Sequence, residues 1–157
     1  MSAPLFHIAL IEPEIPQNTG NIGRLVLGLT CRLHLVHPLG FSLSEKAVRR
    51  AGLDYWKYVD VQEHASTEAF LVWAQGKDMY MFSTKCDSSY RNAQFKRGSV
   101  LVFGAESKGL SQDLRDQYPC LTIPMLGPIR SLNISNAVAI ASYEAMHQIR
   151  YAEGDIT

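Results

Sequence analysis

Along the chain, short apolar runs alternate with longer stretches in which apolar positions recur every three or four residues. The runs at 5–11, 32–37, 79–84, 99–103 and 120–124 have the length and residue types of buried strands. A further short strand is predicted at 57–61. Residues 18–29 place Ile22, Leu25, Val26 and Leu29 on one helical face. Shorter helices are predicted at 44–51, 67–75 and 111–117, the first and last capped by Ser44 and Ser111. A final helix runs from about 132 to 150, with its stripe on Ile134, Ala137, Val138, Ala141, Ala145 and Ile149. Residues 85–98 have no period and predict a loop with at most one helical turn. Strands alternating with helices predict an α/β fold: a mostly parallel sheet with helices on both faces, in one domain spanning 1–157.

Composition narrows the class. The 157 residues are 46% apolar and 19% charged, as in one ordinary globular domain. A chain of this size buries about 70% of its unfolded surface and needs no disulfide or metal staple. Cys31, Cys86 and Cys120 form no CxxC pair and are expected to be free thiols in a reducing compartment. No apolar run approaches the ~20 residues of a membrane helix, and no leader pattern opens the chain. A soluble cytoplasmic protein without membrane contact is expected. Fifteen basic and fifteen acidic residues cancel, which argues against a polybasic nucleic-acid binder. Local basic clusters remain at Lys46, Arg49 and Arg50, and at Lys85, Arg91, Lys96 and Arg97. The histidines show no metal-ligand or triad spacing, so no metal is expected.

Three loops following strands carry more polar chemistry than connectors need. In the first, residues 13–24, two prolines precede Asn18, a candidate helix cap, and Arg24 follows. In the second, residues 102–110, a buried strand ends at Gly104, and Glu106 could receive a ribose hydroxyl or a cation. In the third, residues 123–137, a Gly-Pro turn leads to Arg130 and a run of Ser and Asn, where Ser131 and Asn133 compete as caps. No GxGxxG, Walker lysine or nucleophile–base pair accompanies them.

In this order the loops resemble the three motifs of the SPOUT superfamily of RNA methyltransferases. Asn18-x-Gly20-x-x-x-Arg24 resembles the first motif, and Phe103-Gly104-x-Glu106-x-x-Gly109-Leu110 the second. Ile123-Pro124-Met125 with residues 130–137 resembles the third. The runs at 12–16 and 49–55 are similar to those of the minimal TrmL-like (YibK-like) branch. The resemblance implies S-adenosylmethionine-dependent 2′-O-methylation of the tRNA wobble nucleotide, a cytidine or modified uridine, in leucine tRNAs. It also implies a homodimer and a deep trefoil knot over about 78–150, which periodicity does not suggest.

Carried over by position, the resemblance implies cofactor contacts at Phe82, Gly104, Ile123 and Ser131, with Met125, Leu132 and Glu106 behind them. It implies reaction chemistry at Arg24, Asn18 and Ser135. RNA contacts with an anticodon stem-loop are expected at Arg130, Arg49, Arg50 and Tyr143. An arginine with a pKa above ~12 is a poor free base, so Arg24 is read as a phosphate or oxyanion clamp. Mechanisms that make the arginine the base after it engages a phosphate stay open, as does a buried structural role for Tyr143. Two rival readings keep the fold: an rRNA 2′-O-methyltransferase, and a non-catalytic RNA-binding knotted dimer.

Overall fold

The computed structural model describes residues 2–50 and 53–155. Among the described residues there are seven strands: β1 (His7–Ile11), β2 (Arg32–Val36), β3 (Val61–His64), β4 (Met79–Phe82), β5 (Ser88–Ser89), β6 (Val100–Phe103) and β7 (Cys120–Thr122). They form one sheet in the order β3-β2-β1-β6-β4-β7-β5, with every neighbouring pair parallel. Both faces are covered, as a parallel sheet requires. Helices α1 (Pro16–Leu29) and α5 (Ile134–Ala152) pack on one face; α3 (Thr67–Trp73) and α4 (Gln112–Gln117) pack on the other. Helix α2 (Glu45–Arg50) lies in the connection after β2.

Alternation along the strands builds the two cores. Ile8, Leu10, Leu33, Leu35, Leu101 and Phe103 point to α1 and α5, where Ile22, Val26, Val138 and Ala141 meet them. Ala9, Met81, Val100 and Val102 point the other way, to Phe70 and Leu114. Gly20 and Gly23 let other side chains reach the backbone of α1. A Cβ on Gly20 would come within 2.7 Å of Leu53, and one on Gly23 within 2.6 Å of the Trp56 ring.

The structure corrects several expectations. The strand predicted at 57–61 is a 3₁₀ turn (Trp56–Tyr58) followed by β3, which starts only at Val61. The loop at 85–98 has its one helical turn, a 3₁₀ turn (Tyr90–Asn92), but also holds the unexpected two-residue edge strand β5. Residue 51, the predicted end of the basic helix, lies outside the described residues, while Ser44 does cap that helix through the Ala47 amide. Cys86 and Cys120 are not free thiols far apart. They form a disulfide with Cα atoms 5.8 Å apart, because β7 inserts beside β4 and brings residue 120 to the turn after it. Cys31 alone is a free, buried thiol, and burial pushes its pKa up to about 12. Among the described residues no helix is long and apolar enough to cross a membrane, and no group of ligands could hold a metal ion.

The histidines have more structure than their spacing suggests. His7, His34 and His64 come from three adjacent strands and form a buried chain. His7 Nδ1 lies 2.9 Å from His34 Nε2, and His34 Nδ1 lies 2.9 Å from His64 Nε2. Trp73 covers His34, with ring centroids 4.1 Å apart. Neutral imidazoles each carry one donor and one acceptor, so a one-directional relay satisfies the chain. Burial lowers all three pKa values; His7 falls to about 4, helped by the charges of Arg32 and Lys77 and opposed by Asp60.

The unfolded chain therefore binds protons that the native chain refuses. Stability from His7 is complete above its unfolded pKa of 6.5 and is lost as pH falls from there toward about 4. Denaturant midpoints measured across that range will fall steeply with acid. His34→Gln keeps a donor and an acceptor without a titrating ring and will flatten the slope.

Candidate active site

The carboxyl ends of β4, β6 and β7 open on a cleft of about 910 Å³, within the usual range for small-molecule sites. Three chain segments wall it: residues 82–85, 103–110 and parts of 121–137, where Asn133 lines the cleft but Ser135 does not. The residues expected to hold a cofactor all line it: Phe82, Gly104, Glu106, Ile123, Met125, Ser131 and Leu132. Asn18 and Arg130 also reach it, and Asn18 is buried. Parts of all three motifs are thus brought to one cleft, although Asn18 and Asn133 lie 115 residues apart in sequence.

The second loop is shaped by its glycines. Gly104 follows β6, and a Cβ there would overlap the backbone of Gly109 and Leu110. Gly109 itself has φ +64°, a conformation side chains rarely adopt, and its amide donates to the Ala105 carbonyl at 2.8 Å. The loop therefore folds back tightly on the end of β6, and its outer turn meets the first loop.

That meeting is a reciprocal exchange of carboxylates. Glu106 accepts from the backbone N–H of Glu14 at 2.7 Å and of Ile15 at 3.2 Å. Glu14 in turn accepts from the Ser107 amide at 2.8 Å and from its hydroxyl at 2.7 Å. The two hydrogen bonds from Ser107 hold the Glu14 carboxyl below the usual carboxylate range. The Glu106 oxygens thus hold the entry to α1 while the residue lines the cleft. Asn18 is not the cap of α1. The helix begins at Pro16 with Ile15 at the cap position and no side-chain cap, so Asn18 sits in the first turn and turns into the cleft.

Asn18 joins the third loop to this clasp. Its amide nitrogen donates to Glu106 at 3.4 Å, and its carbonyl oxygen accepts from Asn133 Nδ2 at 3.2 Å. Asn133, rather than Ser131, caps α5, which starts at residue 134 instead of 132. Its Oδ1 accepts from the Ser135 amide at 2.9 Å and the Ser135 hydroxyl at 2.6 Å. Glu106, Asn18, Asn133 and Ser135 thus form one line through all three loops.

The other expected site residues stand apart. Arg24 is exposed on α1 and does not line the cleft. Six residues beyond Asn18, it lies about 9 Å further along the helix and roughly 120° around it. Its charge bears on Tyr55, whose hydroxyl donates to the Gly20 carbonyl at 2.7 Å. Arg49 and Arg50 end α2, and Tyr143 is half exposed on α5; none of these lines the cleft. Sequence reasoning missed Glu14 and Ser107 as parts of the site. The side-chain types give no signal for a pairing across 93 residues.

The sequence agrees with this geometry. The family model described as the SpoU rRNA Methylase family matches residues 5–143. The chain belongs to that family. Within the SpoU family it is 48% identical over 149 residues to a tRNA (cytidine(34)-2'-O)-methyltransferase of Acidovorax sp. (strain JS42), covering 92% of each chain. A solved structure concerned with 2-OH methylation of C/U34 on tRNA superposes with a TM-score of 0.86 at 46% identity, covering 91% of this chain and 95% of that one. The fold also matches AviRb of Streptomyces viridochromogenes in complex with the cofactor AdoMet, at a TM-score of 0.79 and 24% identity over 97% of this chain and 63% of that one.

Substituting Gly104 tests the packing of the second loop. Gly104→Ala forces the loop off β6 and will cost about 1–3 kcal/mol of stability. Thermal denaturation of the variant checks it.

Proposed function

We propose that the protein methylates the ribose 2′-hydroxyl of nucleotide 34 of tRNA, using S-adenosylmethionine, in a homodimer working in the cytoplasm. The observation that carries this reading is the single cleft shared by all three motif loops, with Asn18 of α1 on its wall. Near-full-length identity to tRNA (cytidine(34)-2'-O)-methyltransferases supports the substrate. We read the target as a cytidine or modified uridine, in leucine tRNAs. We also read residues 78–150 as a trefoil knot, a reading supported by the placement of β7 between β4 and β5 and the return of α5 to α1.

The cleft fits the cofactor by its chemistry. Leu121, Ile123, Met125 and Leu132 offer apolar surface for a nucleoside, and Lys85, Lys108 and Arg130 stand near for a carboxylate. When bound, S-adenosylmethionine supplies an electrophilic methyl group on a sulfonium. The protein's own work is alignment and proton control. Ile123, Met125 and Leu132 exclude water from the donor side. Asn18 and Ser135, held by Asn133, fix polar groups at the acceptor side. Arg24 serves as an oxyanion or phosphate clamp that eases loss of the 2′-hydroxyl proton.

Arg24 lies off the cleft of its own chain, so a second copy must bring it to the acceptor. The exposed stripe of Ile140, Tyr143 and Tyr151 on α5, beside α1, is the face we assign to that pairing. Arg130 at the cleft, with Arg49 and Arg50 on α2, would follow the phosphates of the anticodon stem-loop.

The test is transfer of labelled methyl from S-adenosylmethionine to total tRNA, with mapping of the modified nucleotide. Label on the 2′-oxygen of nucleotide 34 is expected. Label on rRNA alone, or on neither RNA despite cofactor binding, would overturn the reading. Arg24→Ala will slow transfer by about a hundredfold or more, as loss of one oxyanion donor does, while cofactor affinity stays within about twofold.

A further inference from the structure

Helix α1 divides two cavities. Ile15 and Asn18 line the cleft, while Pro16, Gln17, Thr19 and Gly20 line a second pocket of about 320 Å³ on the other side of the same first turn. Its far wall comes from the segment after β2, with the aromatic rings of Phe41 and Trp56 and the aliphatic chains of Leu43 and Leu53. The glycine face of α1 draws that wall inward, since Leu53 sits over Gly20 and Trp56 over Gly23.

Its chemistry is that of a flat, partly polar ligand. Apolar and aromatic surface dominates, and the Gln17 amide and Ser42 hydroxyl supply polar groups. Thr19 lines the pocket, is only 2% exposed, and its hydroxyl finds no hydrogen-bond partner. A buried hydroxyl without a partner costs stability, so this group is unsatisfied in the ligand-free chain. Arg50 adds a cation to the lining, and Lys46 and Arg49 extend the positive charge along α2. Aromatic faces, a few hydrogen-bonding groups and adjacent cations are the means by which proteins hold single-stranded bases. One helix diameter, about 10–12 Å, separates the pocket from the cleft, a distance that a flexible nucleotide step can span.

We propose that this pocket takes an unstacked nucleobase of the substrate RNA, that of a nucleotide adjoining the methylated one. The proposal rests on the tRNA reading above. In this arrangement α1 is a wedge: the target ribose enters the cleft on one side of its first turn, and the neighbouring base enters the pocket on the other. Splaying the two nucleotides apart exposes the 2′-hydroxyl of the target ribose to the donor.

The test uses an anticodon stem-loop RNA, the same RNA with an abasic residue on one side or the other of the target, and the Phe41→Ala enzyme. Phe41→Ala is expected to raise KM for the intact RNA about tenfold, with kcat and S-adenosylmethionine affinity unchanged. One of the two abasic RNAs should cost the wild-type enzyme the same factor. Phe41→Ala should then lose nothing further on that RNA. Losses that multiply on both abasic RNAs, or no effect of Phe41→Ala, would overturn the proposal. Thr19→Val, which keeps shape and removes only the unpartnered hydroxyl, guards against a folding artefact. It should match or exceed the wild-type melting temperature, and weaken binding of the intact RNA but not of that same abasic RNA. Normal methylation with unaltered KM in both variants sinks the pocket alone. Absence of methyl transfer by the wild-type enzyme to any of these RNAs and to total tRNA sinks the tRNA reading and this proposal with it.

Discussion

Glu14 and Glu106 each accept hydrogen bonds from the other's loop, and the carboxyl end of the sheet is organised around that exchange. The loops after β1 and β6 follow neighbouring strands, so parallel pairing brings their ends together. Pairing alone would leave both free to move. The clasp converts them into one body and provides acceptors for amide N–H groups ahead of α1, whose own cap position lacks a capping side chain. The negative charge of Glu106 also suits the positive end of the helix dipole. Because Asn18 bonds to Glu106 and Asn133 bonds to Asn18, the start of α5 is registered against the same clasp.

The rest of the site follows from how closely backbones approach. Gly104 allows the second loop to double back against Gly109, which presents Glu106 and Ser107 to the first loop. Gly20 and Gly23 allow Leu53 and Trp56 to lie on α1. Glycine inside a helix costs roughly 0.5–1 kcal/mol relative to alanine, and here close packing against the 53–56 segment offsets it. Helix α1 is thereby gripped on two sides, by the clasp at its start and by Trp56 further along. A helix so held can carry polar groups toward the cleft with little loss of position.

Much of this was legible in the sequence because periodicity and turn chemistry are local. The strands at 7–11, 32–36, 79–82 and 100–103 and the stripe of α5 follow from spacing. The loops were identifiable because their polar residues exceed what caps and turns need. What escaped reading is non-local. The Glu14–Ser107 pairing, the Cys86–Cys120 disulfide and the histidine chain each join residues brought together only by strand order, and that order is not written in any window of sequence. Asn18 reads as a cap, yet two prolines move the start of the helix to Pro16 and turn Asn18 inward. The engagement of Glu106 by the Glu14 and Ile15 amides is equally hidden, because those amides lie about ninety residues away.

The clasp makes the first and second loops one functional body. A double-mutant cycle on the methyl-transfer rate tests it directly, with Glu14→Gln and Ser107→Ala made singly and together. If the two groups act only through each other, each single change lowers the rate by a similar factor and the double variant is no slower than either. Losses that multiply in the double variant would show that the loops contribute separately, and would contradict the account.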